Sequence, residues 1–211
     1  GARGSLELHA AVLDGDDATA VLYIAQGPST DGDIHVQGLT IRNGSTQDPA
    51  IAGFEISTFG DYGGRVTIDH NAFLDNQSGS GAGGLDVTVD NGLVSIANNL
   101  LAGNSSGGGH GAGRVRCSGE ATNIVFNTVA DNSCSGCTGG LEVGGTVAPS
   151  IVNNILWGND TVDLVFNNTA TRLENNDIGA FTGTPDPGVS GANISADPLF
   201  VGSGNYRLIL S

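Results

Sequence analysis

One eleven-residue pattern recurs along this chain and restricts it to architectures that stack copies of a single unit. Val66-Thr-Ile-Asp-His-Asn-Ala-Phe-Leu-Asp-Asn76 returns as Val94-Ser-Ile-Ala-Asn-Asn-Leu-Leu-Ala-Gly-Asn104 and as Thr122-Asn-Ile-Val-Phe-Asn-Thr-Val-Ala-Asp-Asn132. It returns again as Pro149-Ser-Ile-Val-Asn-Asn-Ile-Leu-Trp-Gly-Asn159. Equivalent asparagines stand at 71, 99, 127, 154 and 176, separated by 28, 28, 27 and 22 residues. A weaker copy without the Asn, Ile34-His-Val-Gln-Gly-Leu-Thr-Ile41, precedes them.

Inside each copy apolar residues alternate, as they do in a strand with one face buried. Val36, Ile68, Ile96, Ile124, Ile151 and Leu173 form one column, and beyond the Asn a second runs Ile41, Phe73, Leu101, Val129, Leu156 and Ile178. A third strand follows a Gly-rich loop, with Ile56, Val87, Val115, Val143 and Leu164 in register. Gly at 35 of 211 positions argues against helices, where each costs about 1 kcal/mol relative to Ala. The expectation is therefore an all-β, right-handed, three-faced parallel β-helix of about six coils, one domain over 1–211, closed by an irregular segment from 179 to 211. Asn tolerates left-handed backbone angles and bonds neighbouring backbone, so the Asn column should stack inward at one corner as scaffold. A second Asn set closes the copies. Three of its members, Asn76, Asn104 and Asn159, read as glycosylation sequons or simply as turn residues.

The net charge is −15, with seven Lys+Arg against 22 Asp+Glu. Such a surface repels nucleic acid and anionic lipid, and no apolar run approaches the ~20 residues of a membrane span. The chain contains no Met, which is consistent with a removed signal peptide or a trimmed piece of a longer secreted chain. Of three cysteines, Cys134 and Cys137 share a loop as a lone C-x-x-C, where a local disulfide is favoured, with free thiols as the alternative. Zinc would need two further ligands. Cys117 falls on an inward strand position and reads as core.

The whole chain resembles the right-handed parallel β-helix repeat proteins of the pectate-lyase-like superfamily. The stretch Gly183-Thr-Pro-Asp-Pro-Gly-Val-Ser-Gly-Ala-Asn-Ile-Ser-Ala-Asp-Pro-Leu-Phe200 resembles the closing coil of secreted or surface-anchored bacterial members of unassigned activity. The resemblance implies an extracellular or cell-surface setting. It transfers no catalytic residue, because function in that superfamily lies in side chains added to the faces.

The third strand supplies the candidate site. Outward positions align Glu55, Asp86, Arg114, Glu142 and Asp163 in one exposed column, with Tyr23 before them; the adjacent column holds Ser57, Thr88, Arg116 and Gly144. Paired carboxylates can serve as acid and base or hold Ca²⁺, and Arg can clamp a carboxylate, so the column is a candidate carbohydrate site. The competing reading is a charge ladder in which Arg114 relieves repulsion between Asp86 and Glu142. His110, in the Gly-rich loop before Arg114, is expected to be exposed beside the column; His70 takes a corner position. The catalytic candidates are Asp86, Arg114, Arg116, Glu142 and His110. Asp14, Asp16, Asp31 and Asp33 have calcium-like spacing that turn propensity also explains, and no other cofactor is indicated. The functional expectation is a secreted or surface module that binds or displays toward a polysaccharide or surface glycan. The alternative is a polysaccharide lyase or glycoside hydrolase working on the third-strand face. Finally, 197–210 is expected to fold over the last coil as a lid, with Leu199, Phe200 and Tyr206 facing its core.

Overall fold

The computed structural model describes residues 6–27, 32–47, 51–202 and 204–209, and these are all-β with no helix. Three parallel sheets of seven strands each run the length of a solenoid. The first contains Ile34–Gln37, Arg65–Asp69, Leu93–Ala97, Ala121–Val125 and Ser150–Val152; the second contains Thr40–Arg42, Ala72–Leu74, Leu100–Ala102, Thr128–Ala130 and Ile155–Trp157. The third contains Leu22–Gln26, Phe54–Thr58, Leu85–Val89, Gly113–Cys117, Leu141–Gly145 and Leu164–Phe166. A narrow ribbon of two-residue strands, from Ser45–Thr46 to Ser133–Cys134, lies between the second and third sheets.

The first two apolar columns stack in the expected register, Ile68 on Ile96 on Ile124 and Phe73 on Leu101 on Val129, and all are buried. Each such side chain removed from water contributes about 1.5–3 kcal/mol, and only stacking makes that burial available to a coil. The third column differs at its end. Leu164 pairs with Leu141, so Phe166 and not Leu164 continues below Val143. The coil between Asn154 and Asn176 is short, and its third strand begins four residues earlier relative to the repeat; the Phe166 ring then stacks on Phe181 at 6.0 Å.

The Asn column occupies one corner between the first and second sheets. Asn99 receives Nδ2 and backbone N–H bonds from Asn71 at Oδ1, and donates its own to Asn127; the chain of bonds continues through Asn154 and Asn176. The residue before each Asn takes the left-handed region, as does Gly38 before Leu39 in the coil without the Asn: Gly38, His70, Asn98, Phe126, Asn153 and Asn175 have φ between 54° and 69°. One further rung was not anticipated. Asn193 accepts from Asn176 Nδ2 at 2.9 Å, and Gly191 and Ile194 bridge to Glu174 and Asp177, so 186–195 begin another coil.

The second Asn set is also a ladder and not a row of solvent-facing turns. Asn76, Asn104, Asn132 and Asn159 bond Nδ2 to Oδ1 in succession at 2.8–2.9 Å. Each also donates to a carbonyl of the preceding coil. Their amides are buried and fully used, which removes Asn76, Asn104 and Asn159 as glycan acceptors.

The expected lid is not formed. An antiparallel hairpin, Phe200–Gly202 with Asn205–Leu208, lies along the side of the solenoid, where Tyr206 Oη donates to Asp131 Oδ2 at 3.1 Å. Leu199 is left half exposed. The rung built by 186–195 already occupies the end of the coil, so the hairpin has no open core to cover. Cys134 and Cys137 form a disulfide, and Cys117 is a buried free thiol.

Candidate functional site

On the third sheet Tyr23, Glu55, Asp86, Arg114 and Glu142 are paired in register across five strands, as expected. Strand pleating turns all five outward while Ile56, Val87, Val115 and Val143 point in. Glu142 is followed in register by Val165, so Asp163 does not belong to this column. It is buried at the end of the second Asn ladder. Its Oδ1 accepts from Asn159 Nδ2 at 2.8 Å and its Oδ2 from Ala180 N–H at 2.8 Å, so it closes a ladder that has no further Asn.

The column is less exposed than its alternation suggested. The Asp86 side chain is only 5% exposed, and Arg114 reaches it with Nη2 at 2.6 Å and Nε at 3.4 Å. Burial raises the Asp86 pKa above its ordinary value, with Arg114 acting against that shift and Glu55 adding to it. Glu142 is bonded to Arg116 Nη2 at 2.9 Å, so the relief of Glu142 comes from the neighbouring column and not from Arg114. Glu55 accepts from Ser57 Oγ at 2.9 Å, and Thr88 Oγ1 lies 3.4 Å from Asp86 Oδ1.

His110 is packed under this face, not exposed. It bridges Ala82 and Thr138 in a loop held close by glycine: a Cβ at Gly111 would stand 2.5 Å from the carbonyl oxygens of Ser133 and Gly139. The imidazole is 16% exposed, and its Nδ1 lies 3.7 Å from Glu142 Oε2 and has no hydrogen-bond partner among the described residues. Burial lowers its pKa; Glu142 pulls the other way, and Arg114 and Arg116 reinforce the lowering. The imidazole therefore sits beside the Glu142 carboxylate, which Arg116 holds, in surroundings that disfavour its protonation.

Two of the aspartate candidates elsewhere, Asp14 and Asp33, are engaged. Asp14 accepts from Arg42 Nε at 2.8 Å, Asn43 Nδ2 at 3.1 Å and the Asp16 N–H at 3.1 Å, and those hydrogen bonds, the Asp16 one foremost, lower its pKa. Asp33 accepts from the Arg65 N–H at 2.9 Å, and Asp31 lies outside the described residues. Among the described residues no three His, Cys, Asp or Glu side chains converge as a metal site. His70 stands at its corner, with Nδ1 2.8 Å from Asp69. What sequence reasoning missed is Phe126. It holds a left-handed corner position given to Gly, His or Asn in the other coils, yet its side chain is 58% exposed. The signal was present as a lone aromatic in a polar column. Comparison with protein families, curated proteins and solved structures returns no match to this chain.

Proposed function

We propose that this chain is a secreted or cell-surface β-helix module that binds an extended glycan along its third-strand face. The observation that carries the reading is the in-register outward row Tyr23, Glu55, Asp86, Arg114 and Glu142. Successive members stand about 4.8 Å apart along the axis, and Tyr23, the neighbouring Arg116 and, in part, Arg114 are open to solvent on this face. Asp86 and Glu142 are held by Arg114 and Arg116, an arrangement suited to fixed recognition more than to proton exchange. Arg116 is half exposed and keeps donors free for a ligand hydroxyl or carboxylate. The Cys134–Cys137 disulfide fits an oxidising compartment, and the likeness to pectate-lyase-like proteins favours a bacterial, extracellular, carbohydrate-directed role.

The enzyme reading, a polysaccharide lyase or hydrolase, draws on one specific observation: the largely buried His110 imidazole lies 3.7 Å from Glu142, a titratable ring next to a carboxylate. Glycan-array binding joined to a turnover screen on uronate polymers separates the two. Binding that disappears in Arg116→Ala without product release supports the module. Turnover lost in a folded His110→Ala variant would replace it with the enzyme.

A further inference from the structure

A groove of about 680 Å³ runs between the first Asn corner and the C-terminal hairpin, on a different side of the solenoid from the charged column. One wall is the outer rim of the corner, with His70, Asn98 and Phe126 from three successive coils; the other is the hairpin, with Asn205, Tyr206 and Arg207. The far wall is fixed, because Tyr206 is tied to Asp131 and its ring meets Phe200 edge-on at 5.3 Å.

Phe126 is the anomaly in this groove. Its φ is +57°, a region that bulky side chains enter only under strain and that Gly or Asn occupies readily. Its equivalents are Gly38, His70, Asn98, Asn153 and Asn175. The ring gains little burial in return, being 58% exposed. A strained backbone carrying an uncovered aromatic ring beside a groove is the combination expected where a ring is held for a ligand.

We propose that this groove is a second binding site, for a neutral oligosaccharide, with Phe126 as the platform on which the apolar face of one sugar ring stacks. The hydrogen-bonding groups around the platform are of the kind hydroxyls require. Asn98, whose Nδ2 is bonded to Asp69 Oδ1 at 3.0 Å, retains its carbonyl; His70 and Asn205 add further donors and acceptors, and Arg207 a fork of donors. An anionic sugar is disfavoured by Asp69 at the corner, Asp131 behind Tyr206 and the net charge of −15. The volume suits a small ligand and not a protein segment. The ligand class rests on the glycan reading above, but the site shares no residue with the third-strand face.

The test is calorimetric titration of the purified chain with cellohexaose, xylohexaose, maltohexaose and chitohexaose, comparing the wild type with Phe126→Asn, Phe126→Trp and Arg116→Ala. Phe126→Asn installs the residue that the fold itself uses at this corner, so it should fold and melt about 2–4 °C higher. It should bind about tenfold or more weakly, while Phe126→Trp keeps the platform and the affinity. Loss confined to Phe126→Asn supports the groove. Loss confined to Arg116→Ala moves the ligand to the third-strand face and overturns the groove alone. Equal binding by wild type and Phe126→Asn, or no binding of any of the four sugars by the wild type, also overturns it.

Discussion

At the scale of single residues, two kinds of polar group hold this solenoid together, and they respond differently to mutation. Asn127 is inside a dry ladder: its Nδ2 donates to Asn154 Oδ1 and the Ile96 carbonyl, and its Oδ1 accepts from Asn99. Asn127→Ala removes one residue but leaves the Asn99 backbone N–H and one of its two Nδ2 protons buried without an acceptor, at about 1–3 kcal/mol each. A loss of about 3–5 kcal/mol in urea unfolding is expected, against about 1 kcal/mol for Asn193→Ala at the partly exposed end of the ladder. Equal losses at the two sites would show that the ladder is not a cooperative interior element. Arg114 belongs to the second kind. Read as an exposed ion pair it would be worth about 0–1 kcal/mol, but Asp86 is buried, so Arg114→Ala strands a carboxylate. With Arg114 itself 30% exposed, the expected loss is about 1–3 kcal/mol, largely recovered in the Arg114→Ala/Asp86→Asn double variant. A double variant no more stable than Arg114→Ala would assign the loss to packing of the arginine stem.

At the scale of elements, the strands were legible because two periods coincide: alternation along the strand and return of the same residue every 27 or 28 positions. Ile68, Ile96, Ile124 and Ile151 satisfy both, and so do the asparagines at 71, 99, 127 and 154. Where one period fails, the reading fails with it. The coil after Asn154 is shortened, so Asp163 left the outward column and became a ladder terminus. His110 sits in a loop with no alternation, and its burial depends on how neighbouring glycine loops stack. The second ladder was opaque because an Asn at a strand end has turn propensity whether it faces water or core. The C-terminal segment carried no period, and its division into a coil rung and a lateral hairpin yields a prediction. A chain ending at 196 keeps Asn193 and should melt within about 4 °C of the full chain, having lost the hairpin contact of Tyr206. A chain ending at 185 exposes Asn176 and Ile178 and should melt lower and scatter light on heating. If both truncations behave alike, the last rung contributes nothing to the stack.

At the scale of the whole molecule, composition makes the alkaline limit of stability unusually simple to interpret. The chain has three Tyr and seven Lys+Arg, all of the latter arginine, so no lysine titrates near pH 10 and the arginines stay charged. Tyr62 is fully buried, its Oη donates to the Gly32 carbonyl at 2.9 Å, and burial, helped by the charge of Asp33, pushes its pKa up to about 12. A raised pKa in the folded state means the unfolded chain loses the phenolic proton first. Stability from this group is therefore complete below pH 10 and is lost as pH rises from 10 to about 12, by roughly 3 kcal/mol over that window. Tyr206 shifts to about 12 in the same direction, through burial and the charges of Asp131 and Asp75, but is more open to solvent and adds less. On the acid side the lowered pKa of His110 works the opposite way: the unfolded chain takes up its proton near pH 6.5 and the fold resists, so stability falls as pH drops below that value. Tyr62→Phe isolates the alkaline term. At pH 7 the variant should be about 1 kcal/mol less stable, having lost the bond to Gly32; by pH 11 it should equal or exceed the wild type, because it has no phenol to ionise. Urea unfolding at the two pH values, with tyrosinate absorbance followed in parallel, measures both effects. A constant difference between the two proteins from pH 7 to 11 would mean that Tyr62 ionises freely in the fold, and that the core around it is wetter than its packing implies.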